Sequence, residues 1–369
     1  MKLLITGALG FIGRNLALHA ARLPGHEVLA FDVESSDAEL EEHLRVADAV
    51  VHLAGVNRPT DPAAFETGNV GLTERICARL AALGRPIPIV FASSTQAALD
   101  NPYGRSKRAA EEVVRAHAAR LSSSVAIFRL PGVFGKWCRP NYNSVVATFC
   151  HNVAHLRPLQ VDDPDRQIDI VYIDDAVGAL LGAVSVPLVG VSCPAVRPVF
   201  TTSLGKLAET IQGFRDGRTT LELPEVGDPF VKRLYTTYLS YVPADGFAYD
   251  LFQRADPRGT LAELAKGRSF GQMFVSRTLP GITRGNHYHD TKVEKFIVVE
   301  GEAIIRFRHV TTGERTEYPV DGRDFRVVDI PPGWAHSIQN VGTTELVVLF
   351  WANEGFDPAR PDTYAAEVL

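Results

Sequence analysis

Three histidines and a glutamate stand in the last third of the chain at a spacing that suits a metal ion. His287, His289 and Glu294 lie in the stretch GITRGNHYHDTKVEKFIVVEG, and His336 follows a Pro-Gly turn in PPGWAHSIQN. Residues two apart on a strand point to the same face, and a facing strand can return the carboxylate. Three imidazoles and a carboxylate suit Zn²⁺, Fe²⁺, Ni²⁺ or Mn²⁺. The pattern therefore predicts one transition metal per chain, with Zn²⁺ the expected ion.

A second set of reactive side chains surrounds residue 100. The stretch YGRSK places Tyr103 and Lys107 four residues apart on one helical face, and FASSTQ just before it supplies Ser94. An ammonium group beside a phenol favours the phenolate, so we expect the pKa of Tyr103 to be lowered. Such a phenol can act as an acid toward a carbonyl oxygen that Ser94 holds in place. This set predicts reduction of a ketone.

The N-terminal stretch LLITGALGFIG suggests the reductant. Gly7, Gly10 and Gly13 follow a predicted strand and precede a predicted helix, where glycines let the backbone approach a pyrophosphate at the helix N-terminus. Asp32 ends the second predicted strand, where a carboxylate can bind the ribose hydroxyls and repel a 2′-phosphate. That carboxylate favours NADH over NADPH, and the chain offers Arg14 and Arg58 as cations that would reach a 2′-phosphate.

Two kinds of predicted elements would position these groups. Residues 2–186 alternate short apolar strands with amphipathic helices, which predicts a parallel sheet covered on both faces. Helical periodicity fades after TLAELAKG, at residues 260–267, and short alternating strands with turn signals follow. We therefore predict an α/β Rossmann-type domain over residues 1–243 and an all-β barrel or jelly roll over residues 244–369.

Composition excludes several classes of protein. The chain has 369 residues and a formal net charge of −5, and no stripe of Lys and Arg predicts nucleic-acid binding. No apolar run approaches the roughly 20 residues of a membrane span. The N-terminus does not suit a signal peptide. Four separated cysteines indicate reduced thiols, so we expect a cytoplasmic protein. From the charge and the apolar runs, we expect that it binds neither nucleic acid nor membrane.

The first 240 residues resemble the extended short-chain dehydrogenase/reductases that act on nucleotide sugars, through TGALGFIG, HLAG, YGRSK and YIDDAV. The resemblance implies that Tyr103 is the catalytic acid, with Lys107 and Ser94 as its partners. The positions that match or adjoin the family's cofactor-binding motifs are Gly7, Gly10, Phe11, Ile12, Gly13, Asp32, His52, Ala54, Gly55 and Lys107.

A stretch after the fifth predicted strand combines cations, amides and an indole ring, which suits a uridine diphosphate. An ordinary surface loop before a helix is the alternative. The substrate-binding residues predicted in this stretch are Arg129, Lys136, Trp137, Arg139, Asn141 and Asn143.

Residues 268–352 resemble the cupin family, whose two metal-binding motifs match the His and Glu pattern described above. One position departs, because Phe325 stands where the family usually has glycine. Cupins include oxygenases, sugar epimerases and storage proteins, so the cupin fold alone leaves the activity open.

The whole chain resembles the CapF family of bifunctional capsular polysaccharide enzymes, through stretches such as GVNRP, FGKWC, PNYNSV and FDPARPDTY. The resemblance implies a UDP-linked 4-keto-6-deoxy-N-acetylhexosamine as substrate. It implies C3 epimerisation in the cupin domain and then C4 reduction in the Rossmann domain. It also implies NADPH as the reductant, against the carboxylate of Asp32, so both nicotinamides stay open.

Two other functions fit the sequence. The chain could be a reductase whose cupin is a metal-stapled dimerisation module, or a dehydratase or 4-epimerase of the same Rossmann family. The open sheet edges of a cupin barrel and the apolar strand ELVVLFWA favour a homodimer, since such a strand needs cover.

Overall fold

The computed structural model describes residues 1–186 and 190–369 of the chain. Contacts divide the chain into two compact units, the first made of residues 1–212 and 233–242 and the second of residues 213–232 and 243–369. The segment 213–232 precedes the boundary that we predicted, yet it belongs to the second unit. Backbone hydrogen bonds explain this, because Leu223 donates to Lys266 at 2.7 Å and Lys266 donates to Leu221 at 2.8 Å.

The first part of the chain alternates strands and helices, as the periodicity predicts. The strands are β1 (Lys2–Thr6), β2 (Glu27–Phe31), β3 (Ala49–His52), β4 (Ile89–Ser94), β5 (Val125–Leu130), β6 (Gly132–Phe134), β7 (Gln167–Tyr172), β8 (Val191–Ser192) and β9 (Phe200–Ser203). The α-helices are α1 (Phe11–Ala21), α2 (Asp37–Val46), α3 (Ala63–Phe65), α4 (Leu72–Ala82), α5 (Pro102–Leu121), α6 (Val145–Ala154), α7 (Ile173–Ser185), α8 (Leu204–Thr220) and α9 (Pro229–Leu239).

Six of these strands form a parallel sheet in the order β2-β1-β3-β4-β5-β8. The strands are buried on both faces, because consecutive residues such as Leu3 and Leu4 point to opposite faces and both are fully covered. A smaller sheet combines β6, β7 and β9. The predicted α/β Rossmann-type architecture is confirmed, and the carboxyl ends of β1, β3 and β4 carry the glycine turn and Ser94 toward one edge of the sheet.

The second unit is built from antiparallel strands. They are β10 (Gln253–Asp256), β11 (Gly259–Gly267), β12 (Gly271–Thr278), β13 (Thr283–Tyr288), β14 (Glu294–Glu300), β15 (Glu302–His309), β16 (Arg315–Asp321), β17 (Val327–Ile330), β18 (Trp334–Asn340), β19 (Leu346–Ala352) and β20 (Tyr364–Ala365). One sheet has the order β10-β11-β12-β19-β14-β17 and the other β16-β15-β18-β13-β20. Buried residues from both sheets, including Phe296, Ile305 and Val348, share one core. The predicted cupin-type jelly roll is confirmed.

Two expectations about this unit are wrong. Residues 260–267 were expected to be helical, but they lie in β11, which pairs with β10 and β12. Pairing on both sides overrides the helical preference of Leu, Ala, Glu and Lys. The strand ELVVLFWA does not need a partner chain for cover, because β19 lies inside its sheet between β12 and β14. The homodimer stays a prediction, but the apolar strand β19 no longer supports it.

Within residues 1–186 and 190–369, no helix is both long enough and apolar enough to cross a membrane.

Candidate functional site

The glycine turn between β1 and α1 has the shape that a pyrophosphate requires. Gly7 has a φ of +69°, and a Cβ on Gly13 would lie 2.0 Å from the carbonyl oxygen of Gly7. Phe11 and Ile12 begin α1, and Gly10 precedes them without a side-chain cap. The first N–H groups of α1 are therefore available to an anion.

Asp32 is held against this turn by its own hydrogen bonds. One carboxylate oxygen accepts from the backbone N–H of Leu9 at 2.7 Å, and the other accepts from Val33 at 2.8 Å. The carboxylate thus helps to shape the glycine turn, a role that the sequence did not predict. Arg14 donates to the carbonyl oxygen of Trp137 at 3.1 Å, whereas the side chain of Arg58 is exposed.

The side chain of His52, at the end of β3, belongs to the core of the unit. His52 is buried, and its two ring nitrogens lie 2.6 Å and 2.9 Å from the hydroxyls of Thr6 and Thr73. Burial, together with the nearby Lys107 charge, lowers the pKa of His52 to about 3. The structure therefore places His52 in the core as a neutral residue, without a ring nitrogen for a cofactor.

Asn69 holds the loop that follows β3 and contains Ala54 and Gly55. Its side chain accepts from the N–H of Val56 at 2.8 Å and donates to Ser106 at 2.9 Å. Asn69 lies in a π-helical segment, Glu66–Gly71, and such segments often occur at functional sites. A Cβ on Gly55 would be 3.5 Å from the Lys107 ammonium, so this loop adjoins the reactive helix.

Ser94 ends β4, and Tyr103 and Lys107 lie one turn apart near the start of α5. The expected direction of the Tyr103 pKa is wrong. Burial raises the pKa of Tyr103, and a hydrogen bond with Ser94 offsets only part of that rise. The Lys107 ammonium donates a hydrogen bond to the carbonyl oxygen of Ala92 at 2.8 Å. Burial lowers the pKa of Lys107 to about 8, although Glu111 acts in the opposite direction.

Two of the predicted substrate residues are engaged by carboxylates of the protein. Arg129 donates to both carboxylate oxygens of the buried Glu111, at 2.9 Å and 2.7 Å. This pairing assigns Arg129 a structural contact that the sequence did not predict. Lys136 donates to Asp174 at 2.7 Å and lies 5.6 Å from the ring centroid of Trp137.

The rest of this stretch is open to solvent. Arg139 stacks on the ring of Tyr142 at 5.3 Å, and Asn141 has a φ of +54°. The side chains exposed in this stretch are Trp137, Arg139, Asn141, Tyr142 and Asn143. The exposed guanidinium of Arg139 on the exposed ring of Tyr142 suits a nucleotide, and the nucleotide-binding role of this loop stays a prediction.

The predicted metal ligands converge in the second unit. One ligand atom from each of His287, His289, Glu294 and His336 lies within 4.8 Å of the others. Nε2 of His289 and Nε2 of His336 are 3.4 Å and 3.6 Å from one oxygen of Glu294. Burial lowers the pKa of His336 to about 3, so its imidazole is neutral, the form that binds a metal.

The orientation of these imidazoles fits a metal ion. Nδ1 of His289 lies 2.5 Å from the carbonyl oxygen of Asp362, and Nδ1 of His336 lies 3.4 Å from that of Trp334. Nδ1–H donation to a carbonyl oxygen leaves the Nε2 lone pair for a metal. Within the part of the chain that the structure describes, both Nε2 atoms are buried without a hydrogen-bond partner. The residues present therefore fit a transition-metal ion.

Asp362 supports this group from the C-terminal segment, and sequence reasoning missed it. Its carboxylate accepts from the backbone N–H groups of Asp290, Thr291 and Lys292 at 3.0, 2.9 and 2.7 Å. Burial alone would raise the pKa of Asp362, but these hydrogen bonds outweigh it and hold that pKa well below its usual range. The segment between His289 and Glu294 is thereby tied to Asp362.

A cavity of about 140 Å³ lies beside the predicted metal ligands. Most of its wall is apolar, which is typical of small-molecule sites that use few polar groups for orientation. The lining residues are Leu261, Phe274, Ser276, Arg284, Gly285, His287, Glu294, Phe296, His336, Ile338 and Phe350.

Phe325, which replaces the usual cupin glycine, has a φ of +44°, so the turn keeps the left-handed backbone that favours glycine.

Two family models match the chain. The NAD dependent epimerase/dehydratase family matches residues 3–191, and the polysaccharide biosynthesis C-terminal domain matches residues 254–364. The first match covers the parallel sheet, and the second covers the predicted metal ligands.

Two relatives match this chain over its full length, and a third protein aligns over part of it. The chain is 46% identical over 368 residues to UDP-2-acetamido-2,6-beta-L-arabino-hexul-4-ose reductase of Pseudomonas aeruginosa, covering 100% of this chain and 99% of that protein. A crystal structure of the capsular polysaccharide assembling protein CapF from Staphylococcus aureus aligns with a TM-score of 0.92 at 42% identity, covering 100% of both chains. The UDP-glucuronic acid 4-epimerase of Bacillus cereus aligns with a TM-score of 0.53 at 18% identity, over 58% of this chain and 84% of that one, and shows the fold alone.

Proposed function

Because the chain belongs to the CapF family of bifunctional nucleotide-sugar enzymes, as its motifs predicted, we propose that it converts a UDP-linked 4-keto-6-deoxy-N-acetylhexosamine in two steps. The cupin unit epimerises C3, and the Rossmann unit then reduces the C4 ketone with NADPH or NADH. The product is UDP-2-acetamido-2,6-dideoxy-talose, on the route to N-acetylfucosamine in capsule or O-antigen. The observation that carries this proposal is the full-length, 46% identical match to a reductase of a UDP-linked 4-ulose.

Carbonyl chemistry sets the order of the two steps. The C4 ketone acidifies the hydrogen on C3, so a base can remove that proton and return it to the opposite face. Reduction of C4 removes the ketone, and with it the acidity of the C3 hydrogen. Epimerisation must therefore precede reduction, and a chain that carries both sites can act on the keto intermediate twice.

Three side chains of the Rossmann unit serve the reduction. A nicotinamide bound at the glycine turn would supply the hydride to C4. The Tyr103 hydroxyl donates a proton to the C4 oxygen. Ser94, which hydrogen-bonds with Tyr103, holds the same oxygen. The buried Lys107 uses one of its three donors on Ala92, so two donors remain for the phenolate and the cofactor.

In the cupin unit, His287, His289, Glu294 and His336 would hold a Zn²⁺ ion. A divalent cation there would supply Lewis acidity to a substrate oxygen in the adjoining cavity. The side chains of this chain do the positioning, because the carbonyl oxygen of Asp362 accepts from His289 and keeps its Nε2 directed at the ligand group.

An assay in D₂O tests both steps at once. The purified chain is incubated with a UDP-4-keto-6-deoxy-N-acetylhexosamine and either nicotinamide, and the product is analysed by NMR. We expect deuterium at C3 with inverted configuration and a new hydroxyl at C4. A reduced product that keeps protium and its original configuration at C3 would favour a reductase with a metal-stapled dimerisation module. Absence of turnover with both nicotinamides would refute the reduction.

A further inference from the structure

Arg284 brings a cation into the cavity beside the predicted metal ligands. Its side chain is only 14% exposed, and it lines the cavity together with His287, Glu294 and His336. Apart from those three, Arg284 is the one ionisable side chain among the cavity-lining residues of the described chain. A guanidinium stays protonated in proteins, so this cavity holds a permanent positive charge.

A β-bulge directs Arg284 into this cavity. Arg284 and His287 lie three positions apart, so a regular strand would send them to opposite faces. In the pairing of β13 with β18, however, Gly285 faces Ser337 and His287 faces His336, which leaves Asn286 as an extra residue. Asn286 has a φ of +60° and Gly285 a φ of +100°. The bulge therefore places Arg284 and His287 on the same wall.

The charge of Arg284 is only partly compensated. Its Nε donates to the hydroxyl of Thr278 at 2.9 Å, and its Nη2 lies 3.8 Å from Asp256. Asp256 itself is paired more closely with Arg258, at 2.6 Å and 3.0 Å. In residues 1–186 and 190–369, neither terminal nitrogen of Arg284 has a hydrogen-bond partner, so both remain available to a ligand.

A second polar group shares the cavity. Ser276 is 1% exposed, and within the described ranges its hydroxyl has no hydrogen-bond partner. Ser276 lies two residues from Thr278 on β12, so both hydroxyls point to the face where Arg284 lies. A buried hydroxyl without a partner is destabilising, and a ligand oxygen that accepts from it would remove that cost.

We propose that Arg284 is a catalytic residue of the C3 epimerisation, which binds the C4 oxygen of the keto sugar and stabilises it as the enolate forms. The inference rests on the proposed function. A basic group takes the C3 proton, the C–H electron pair becomes the C3=C4 double bond, and the carbonyl pair moves onto the C4 oxygen. Return of a proton to the other face of C3 reverses this flow. Arg284 donates hydrogen bonds throughout and transfers no proton, while Ser276 donates to another oxygen of the same sugar.

The test compares Arg284→Met and Arg284→Lys with wild type in the full-length protein. We measure deuterium exchange at C3 without nicotinamide, together with the metal content of each variant. Loss of one donor to an oxyanion costs about 10²- to 10³-fold in rate. We therefore expect exchange to fall at least about 100-fold in Arg284→Met and less in Arg284→Lys, which keeps the charge. Metal content should not change.

A matched control is Arg277→Met on the same strand as Ser276. Arg277 is 57% exposed, pairs with Glu345 at 3.3 Å and does not line the cavity, so the Arg277→Met variant should exchange at the wild-type rate. Wild-type exchange in Arg284→Met, or a loss of exchange that follows a loss of metal, would overturn the role of Arg284. A wild-type protein that exchanges no hydrogen at C3 would instead refute the epimerisation itself.

Discussion

The two candidate sites differ in how far their side chains are satisfied by the protein. In the Rossmann unit, Lys107 and Asp32 already hydrogen-bond to backbone groups. In the cupin unit, Nε2 of His289 and Nε2 of His336 are buried without hydrogen-bond partners among the residues that the structure describes. Each unsatisfied buried atom costs about 1–3 kcal/mol. A metal ion bound by these two nitrogens would remove that cost, whereas Lys107 and Asp32 are already satisfied by the protein.

This difference predicts that the two activities separate cleanly, and Tyr103→Phe should show the largest effect. General acid catalysis contributes about 10²- to 10⁴-fold, so NAD(P)H-dependent reduction should fall by that factor. C3 exchange should persist, because the hydroxyl that is lost belongs to the other unit. The measurement pairs nicotinamide oxidation with deuterium incorporation at C3. Tyr249→Phe, which removes a hydroxyl from a 51% exposed tyrosine, serves as the control. Parallel loss of both activities in Tyr103→Phe would contradict separate sites.

A smaller effect is expected where the cupin group is supported from the C-terminal segment. Asp362→Ala removes the acceptor for the N–H groups of Asp290, Thr291 and Lys292, which hold the segment between two ligands. Loss of such outer support typically lowers metal affinity about 10- to 100-fold. Competition with a chelator of known affinity measures this change. Asp357→Ala, in the same C-terminal segment, should bind metal like wild type. Unchanged affinity in Asp362→Ala would show that the loop is held by other contacts.

The smallest effect is expected at the glycine turn. Asp32→Ala removes a carboxylate that would repel a 2′-phosphate. At this partly exposed position the repulsion is worth about 1 kcal/mol, so the kcat/KM ratio should shift roughly fivefold toward NADPH. It also removes the acceptor for Leu9, so KM should rise for both nicotinamides. Steady-state kinetics with each nicotinamide measure the ratio. Glu34→Ala, with an exposed side chain, is the control. A wild-type enzyme that uses NADPH and no NADH would show that Asp32 acts only on the turn.

The sequence by itself determined the reactive groups, because each is encoded at a short and regular spacing. Tyr103 and Lys107 lie one helical turn apart, and the glycine triad bounds one strand-to-helix turn. His287 lies near the end of a strand, and His289 follows that strand directly. Periodicity carries such local geometry and sufficed for both fold classes, while the resemblance of longer motifs indicated the family.

Only the tertiary structure decided which other groups serve these sites. Asp362 reaches a segment about 70 residues earlier in the chain, a pairing that no local pattern encodes. The extra residue Asn286 reverses the strand alternation, so the periodicity that placed His287 would have directed Arg284 to the wrong face. The pKa of Tyr103 likewise follows burial rather than its spacing from Lys107. In each case the deciding interaction joins residues that are distant in sequence or depends on exclusion of water, and both arise only when the chain has folded.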